Sequence, residues 1–402
     1  MFSLLSFEFL ALALITAVLL AVLRGTARHL VFLAANVVFL WGLLLGPSGT
    51  VSTVAFALLG FVLVRLIQRY PDRLFAVLLG GYVLLFVYMQ NYDFLAWLLP
   101  APARTSILAT VGLSFLFFKI VHVMIEARSH TLGRMTLLGY LNYGFNMTTF
   151  MMGPIQRYQD FDEQWSGRTQ ALPRTFESHL DAVIRILVGL VKAYVLARMI
   201  EQFAIDASTV ASETSIPALL VQIYAFYFFL YLNFAGYCDV VIGVGCLFGV
   251  RPPENFDKPF LARDISDFWT RFHRSLTNWL TDYVFSPAYK WALSRPGGAT
   301  RPLLAMNGAL LLTMIVSGLW HGTTASFALF GLAHGLFFVV YRTWEALLTR
   351  RMGKKGVRAW RQKRWVHVAG VVITFHAVAL SLVFFRLDAS HAFAVFQRLV
   401  GF

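Results

Sequence analysis

The chain has 402 residues, 58% of them hydrophobic and only 13% charged, with a formal net charge of +14 and a mean hydropathy of +0.67. Soluble domains carry roughly a quarter charged residues, so an ordinary water-soluble globule is excluded. The basic residues sit at the ends of apolar runs, not on a separate basic helix, which argues against nucleic acid as a partner and for anionic lipid.

Crossing a bilayer takes about 20 mostly apolar residues. Such runs recur at 5–23, 30–46, 51–67, 74–90, 106–125, 182–200, 216–235, 303–320, 324–341 and 366–385, with shorter or interrupted candidates at 137–152 and 237–250. The expected fold is an all-α polytopic membrane protein of about 10–12 transmembrane helices, with re-entrant and interfacial helices around a central tunnel, since only helices and closed barrels satisfy their backbone in lipid. The first 23 residues contain no Lys or Arg, so no signal-peptide n-region is expected. Arg24 and Arg28 follow the first run, which predicts an amino terminus outside the cytoplasm. Cys238 and Cys246 lie in apolar surroundings and read as small hydrophobes.

In "FFKIVHVMIE", Lys119, His122 and Glu126 share one helix face, so Lys119 and Glu126 can pair through His122 or water. A structural ion pair and a functional cluster both fit. After Gly153 the polar stretch "GPIQRYQDFDEQWSGRTQALPRTFESHLD" cannot cross lipid, and 137–152 before it reads as a re-entrant or partly buried segment. Lys192 and Asp239 are single ionisable residues in apolar runs, where Lys192 can snorkel. Gly236, Gly243, Gly245 and Gly249 suit close helix packing.

A second polar-aromatic region spans 251–301. Read as one helix, Phe268–Tyr283 places Trp269, Phe272, Leu276, Trp279 and Leu280 on one side, Arg274, Asn278 and Thr281 on the other, and His273 on the boundary. An interfacial anchor and a cavity wall explain that pattern equally. "SGLWHG" then ends an apolar run on His321. His321 and His334 are thirteen residues apart, about 20 Å along one helix, too far to share a metal without a break between them. No HExxH, CxxC or G-x-S-x-G pattern occurs. His321 is thus a candidate general base, or a ring bonded to a free carbonyl at a helix end. Nine Lys/Arg against one Glu in Arg342–Trp365 predict a cytoplasmic loop.

"FWTRFHRSLTNWLTDYVF", "LTMIVSGLWHGTTASFALFGLAHG", "MMGPIQRYQDF", "FAGYCDVVIGVGCLFG" and "PENFDKPFLARDI" together resemble the bacterial branch of the membrane-bound O-acyltransferase (MBOAT) family, over Lys119 to Arg342. "NFDKPF" is similar to the type that D-alanylates teichoic acids; "GYCDVVIGVG" and "LTMIVSGLWHG" are closer to the alginate O-acetylase type. After Tyr283 the chain reads "SPAYKWALSRPGG" and departs from the alginate type. The resemblance implies one acyltransferase domain, with supporting helices at 1–126, a catalytic core at 127–342, and a basic loop and terminal helix at 343–402. It implies transfer of an acetyl, D-alanyl or similar group in a bacterial cytoplasmic membrane, with no bound cofactor. The donor would be a cytoplasmic thioester, acyl-CoA or an acyl carrier protein. The acceptor would be a hydroxyl of an extracytoplasmic polymer or a periplasmic partner. Its catalytic histidine matches His321 and its second histidine matches His273, with Phe272 standing where Trp is usual. Trp320, Arg271, Asn278, Asp282, Lys258, Asp257, Arg157, Lys119 and Glu126 lie in or beside these motifs and are candidate substrate contacts. The rival is a transporter or export-complex subunit without covalent chemistry, which the broken segments and intramembrane charges also suit.

Overall fold

The computed structural model describes residues 6–100, 112–129, 131–133, 135–168, 175–212 and 215–401. The expected all-α polytopic membrane architecture is what it shows. Among the described residues six helices are long and apolar enough to span a bilayer: Gly46–Arg69, Pro71–Gln90, Ile216–Phe248, Pro302–His321, Ala325–Arg361 and Arg364–Arg386. Phe7–Val22 is a shorter apolar helix. Of the expected run 106–125, residues 106–111 lie outside the described residues, and the helix begins at Leu113.

Several elements differ from expectation. The separate runs 216–235 and 237–250 form one 33-residue helix, Ile216–Phe248, because Gly236 stays helical between them. Gly249 takes φ +84° just past this helix, where a left-handed residue ends it without steric cost. The basic stretch expected as a loop is helical as far as Arg361, broken at Gly353 with φ +69°. Its Ala, Leu, Met, Arg and Lys content favours helix in water as well as in lipid.

The chain packs as two units, Met1–Lys192 with Ala235–Glu254, and Ala193–Phe234 with Asn255–Phe402. In the first, the helices Gly46–Arg69, Pro71–Gln90 and Leu113–Arg128 pack together. Buried tyrosine hydroxyls tie down spare carbonyls there, Tyr82 donating to Phe56 O at 3.2 Å and Tyr140 to Ala57 O at 2.9 Å.

Lys119 does not pair with Glu126. Its Nζ donates to the carbonyls of Tyr143 (2.9 Å) and Gly144 (3.3 Å) and to Thr149 Oγ1 (2.6 Å). These acceptors lie at the end of the nine-residue helix Leu137–Phe145, which is too short to cross a bilayer. A buried cation at a helix carboxyl end meets both its free carbonyls and its negative dipole. The last carbonyls of that helix, at Tyr143 and Gly144, are thereby satisfied within protein, the condition for their burial. Glu126 instead accepts from Gln159 Nε2 at 3.2 Å, beside His122.

Lys192 and Asp239 are not isolated either. Lys192 Nζ lies 2.7 Å from Asp239 Oδ2, and Arg185 reaches Asp239 at 3.0 Å and grips Glu254 through both guanidinium nitrogens at 2.7 and 2.5 Å. Arg251 closes the chain on Glu254 at 3.0 Å. The Arg185 hydrogen bonds hold the Glu254 carboxyl below its usual range. The helices bearing this network approach closely, since a Cβ at Gly189 would lie 2.6 Å from Gly236 O.

Asp239, with a side chain 17% exposed, balances two cations, whereas Lys192 at 31% can reach water. Asp239→Ala is expected to lower stability in detergent by about 1.5–3 kcal/mol, because it removes charged hydrogen bonds from half-buried Lys192 and Arg185 together, and Lys192→Ala by less than about 1 kcal/mol, because Asp239 keeps Arg185. Thermal unfolding of the purified variants checks the order; equal losses would show that the network is not the source.

Candidate active site

In the second unit the helices Pro302–His321 and Ala325–Arg361 form an antiparallel hairpin through Gly322–Thr324. Glycines bring the two backbones together. A Cβ at Gly318 would lie 2.2 Å from Phe327 O, and one at Gly331 would lie 2.4 Å from Met314 O. At Gly322 a Cβ would strike the Phe327 ring at 2.1 Å. The small residues of "SGLWHG" thus allow the tight crossing that ends the helix at His321.

His273 reaches the same place by a different route. The helix expected over Phe268–Tyr283 is broken: Ile265–Arg271 ends at an extended Phe272, His273 turns left-handed (φ +52°, ψ +49°), and Arg274–Leu280 starts again. Such a conformation is uncommon for a residue with a Cβ and needs support from around it. The support is the segment Asn255–Asp257. Phe256 bridges Phe272, Asp257 N–H donates to Arg271 O at 2.9 Å, and Arg274 N–H donates to Asn255 O at 3.0 Å. The Asn255 side chain accepts from Ser275 N–H at 3.1 Å and caps the new helix. The apolar face survives in each half, where Phe268, Trp269, Leu276, Trp279 and Leu280 are buried. His273 itself is no boundary residue; it is 2% exposed.

The two rings meet at a cavity of about 50 Å³. His273 and His321 line it with Phe234, Phe268, Phe330, Phe385 and other residues, none of them charged. Their ring centroids are 6.4 Å apart, and Trp320 stands 6.0 Å from His273 and 4.6 Å from His321. His321 is only partly buried, and its ring makes no hydrogen bond to any described residue, so the contact of the ring with a helix-end carbonyl is not formed.

Residues 48–385 match the model of MBOAT, the membrane-bound O-acyltransferase family. The chain belongs to that family. It is an O-acyltransferase. It is similar to the teichoic acid D-alanyltransferase of Streptococcus thermophilus, 31% identical over 70% of this chain and 69% of that protein. The Bacillus subtilis teichoic acid D-alanyltransferase is 30% identical over 75% of this chain and 74% of its own. The probable alginate O-acetylase AlgI of Pseudomonas fluorescens is 28% identical over 71% of this chain but only 53% of that protein.

The other residues singled out from this acyltransferase's sequence do not line the cavity. Arg271 is drawn into a latch, its Nε 2.7 Å from Asp267 Oδ1 and its Nη1 3.3 Å from Asp257 O. Asp257, Lys258, Asn278 and Asp282 are exposed, and Arg157, Lys119 and Glu126 belong to the first unit. Sequence reading missed the role of Asn255, although it stands in a quoted motif; its signal was an Asn with no helix of its own to cap. His334 was noted only as too distant for a shared metal. The helix breaks at Gly322, and His334 lines the cavity with His321.

Gly318→Ala is expected to cost about 1–3 kcal/mol, because the new methyl meets a backbone carbonyl that cannot move aside. Gly308→Ala, in the same helix with nothing within 4 Å, should instead be neutral or gain up to about 1 kcal/mol. Thermal unfolding in detergent distinguishes them.

Proposed function

We propose that His321 is the general base and His273 the carbonyl-orienting group of an acyl transfer from a thioester to a hydroxyl. The observation that carries this reading is the pair itself: an imidazole with no hydrogen-bond partner among the described residues, beside a pinned, buried one at a cavity with no charged lining residue. His321 takes the proton of the acceptor hydroxyl as its oxygen bonds to the thioester carbonyl carbon. His273 orients that carbonyl, the carbon–sulfur bond breaks, and His321 returns the proton to the departing thiolate. Direct transfer is the simplest course, since no serine or cysteine lines the cavity.

A volume of about 50 Å³ holds roughly four water-sized groups, which matches a short acyl group of acetyl or D-alanyl size. Both sizes occur in the names of the relatives. The donor is read as acyl-CoA or an acyl carrier protein on the cytoplasmic side. An open cleft of about 840 Å³ lined by Arg263, Lys354, Arg358, Arg361 and Arg364 is suited to its phosphates or acidic surface. The acceptor is an envelope polymer or a periplasmic partner outside a bacterial cytoplasmic membrane. The arginines after the first apolar helix support an amino terminus outside the cytoplasm.

The test uses membrane vesicles that keep their own envelope polymers, supplied in parallel with labelled acetyl-CoA and carrier-bound D-alanine. Label is expected in alkali-labile ester with one donor, and His321→Ala is expected to lower the rate about 10²- to 10⁴-fold. Near-parental transfer by folded His321→Ala would overturn the assignment. Label carried across unmodified would point to transport.

A further inference from the structure

A third histidine at the cavity has no part in the transfer just described. His334 is 0% exposed, and both its ring nitrogens are engaged. The Trp269 indole N–H lies 3.2 Å from Nδ1. Indole can only donate, so Nδ1 accepts and the proton of the neutral ring sits on Nε2. Nε2–H then donates to Ser381 Oγ at 2.8 Å, and the Ser381 hydroxyl donates onward to Val378 O at 2.7 Å. This run of bonds joins three helices, Ile265–Arg271, Ala325–Arg361 and Arg364–Arg386.

With Nδ1 accepting and Nε2 donating, His334 cannot take a proton without losing the indole. It is therefore no second base. What it holds is Trp269, three residues before the extended Phe272 that leads into the left-handed His273. The titratable groups sharing the cavity with it are His273, His321 and Tyr227; no carboxylate or fixed cation lines that space. A bonded Trp–His–Ser run in an apolar core also fixes one arrangement, because any slip strands buried polar atoms.

We propose that His334 is a positioning residue for acyl transfer, clamping Trp269 against Ser381 so that the Ile265–Arg271 helix delivers His273 to the cavity. This rests on the reading of His273 and His321 above. It also gives "GLAHG" a function separate from "GLWHG": the first sets the wall, and the second moves the proton.

Three variants of the full-length protein test it in the same vesicles. His334→Leu fills the space without polar atoms and should lower kcat about 10²-fold, as expected for a misplaced reacting group, with donor KM little changed. In His334→Gln the amide oxygen can accept from Trp269 and its nitrogen can donate to Ser381, so most of that loss should be recovered. Trp269→Phe removes the clamped group itself and should lower kcat about as far as His334→Leu, with donor KM again little changed. The proposal is overturned if His334→Leu matches or exceeds His334→Gln, or if Trp269→Phe keeps the parental kcat. Should His334→Leu not fold, the kcat of Trp269→Phe decides alone. Inactive His321→Ala beside indifferent His334 variants would remove the positioning role and leave the transfer reading intact, whereas active His321→Ala would remove the latter.

Discussion

Backbone groups buried in an apolar chain must find partners inside the protein, and the candidate site of this acyltransferase stands where helices break under that constraint. Helical spans satisfy themselves, so they need little from their neighbours. The irregular segments do not. At 255–275 the partners are Asn255 and Asp257, whose backbone and side-chain atoms take up the groups released by the turn at His273. At 143–149 the partner is Lys119, which spends its three hydrogen bonds on two carbonyls and a hydroxyl.

This changes the meaning of an ionisable residue at membrane depth. Such residues usually mark ion or substrate paths, yet Lys119, Lys192 and Asp239 are taken up in structural contacts here. Uncharged rings line the candidate site instead. Among the described residues the His321 ring has no hydrogen-bond partner, whereas His273 is held by backbone and His334 is committed on both sides. Three residues of one type, around one cavity, thus differ in their hydrogen bonding.

Helix existence was legible in the sequence because each span needs only its own apolar composition. Helix ends were less so. The basic stretch after Arg342 reads as a loop by charge, yet its residues are good helix formers and the helix runs on to Arg361. The single helix read through Phe268–Tyr283 failed for another reason. Its apolar spacing is helical on both sides of His273, and periodicity does not register one left-handed residue whose support lies sixteen residues earlier, in Asn255–Asp257.

The sequence by itself determined the membrane class, the family and the two motif histidines, since composition and short motifs are local properties. Tertiary structure alone decided that these histidines share a cavity, that Arg271 serves a latch, and that His334 is bonded to Trp269 and Ser381. Those facts join residues up to 65 positions apart. Such pairings are set by which backbones can approach closely, as at Gly318 and Gly331, and no periodicity along one helix encodes that.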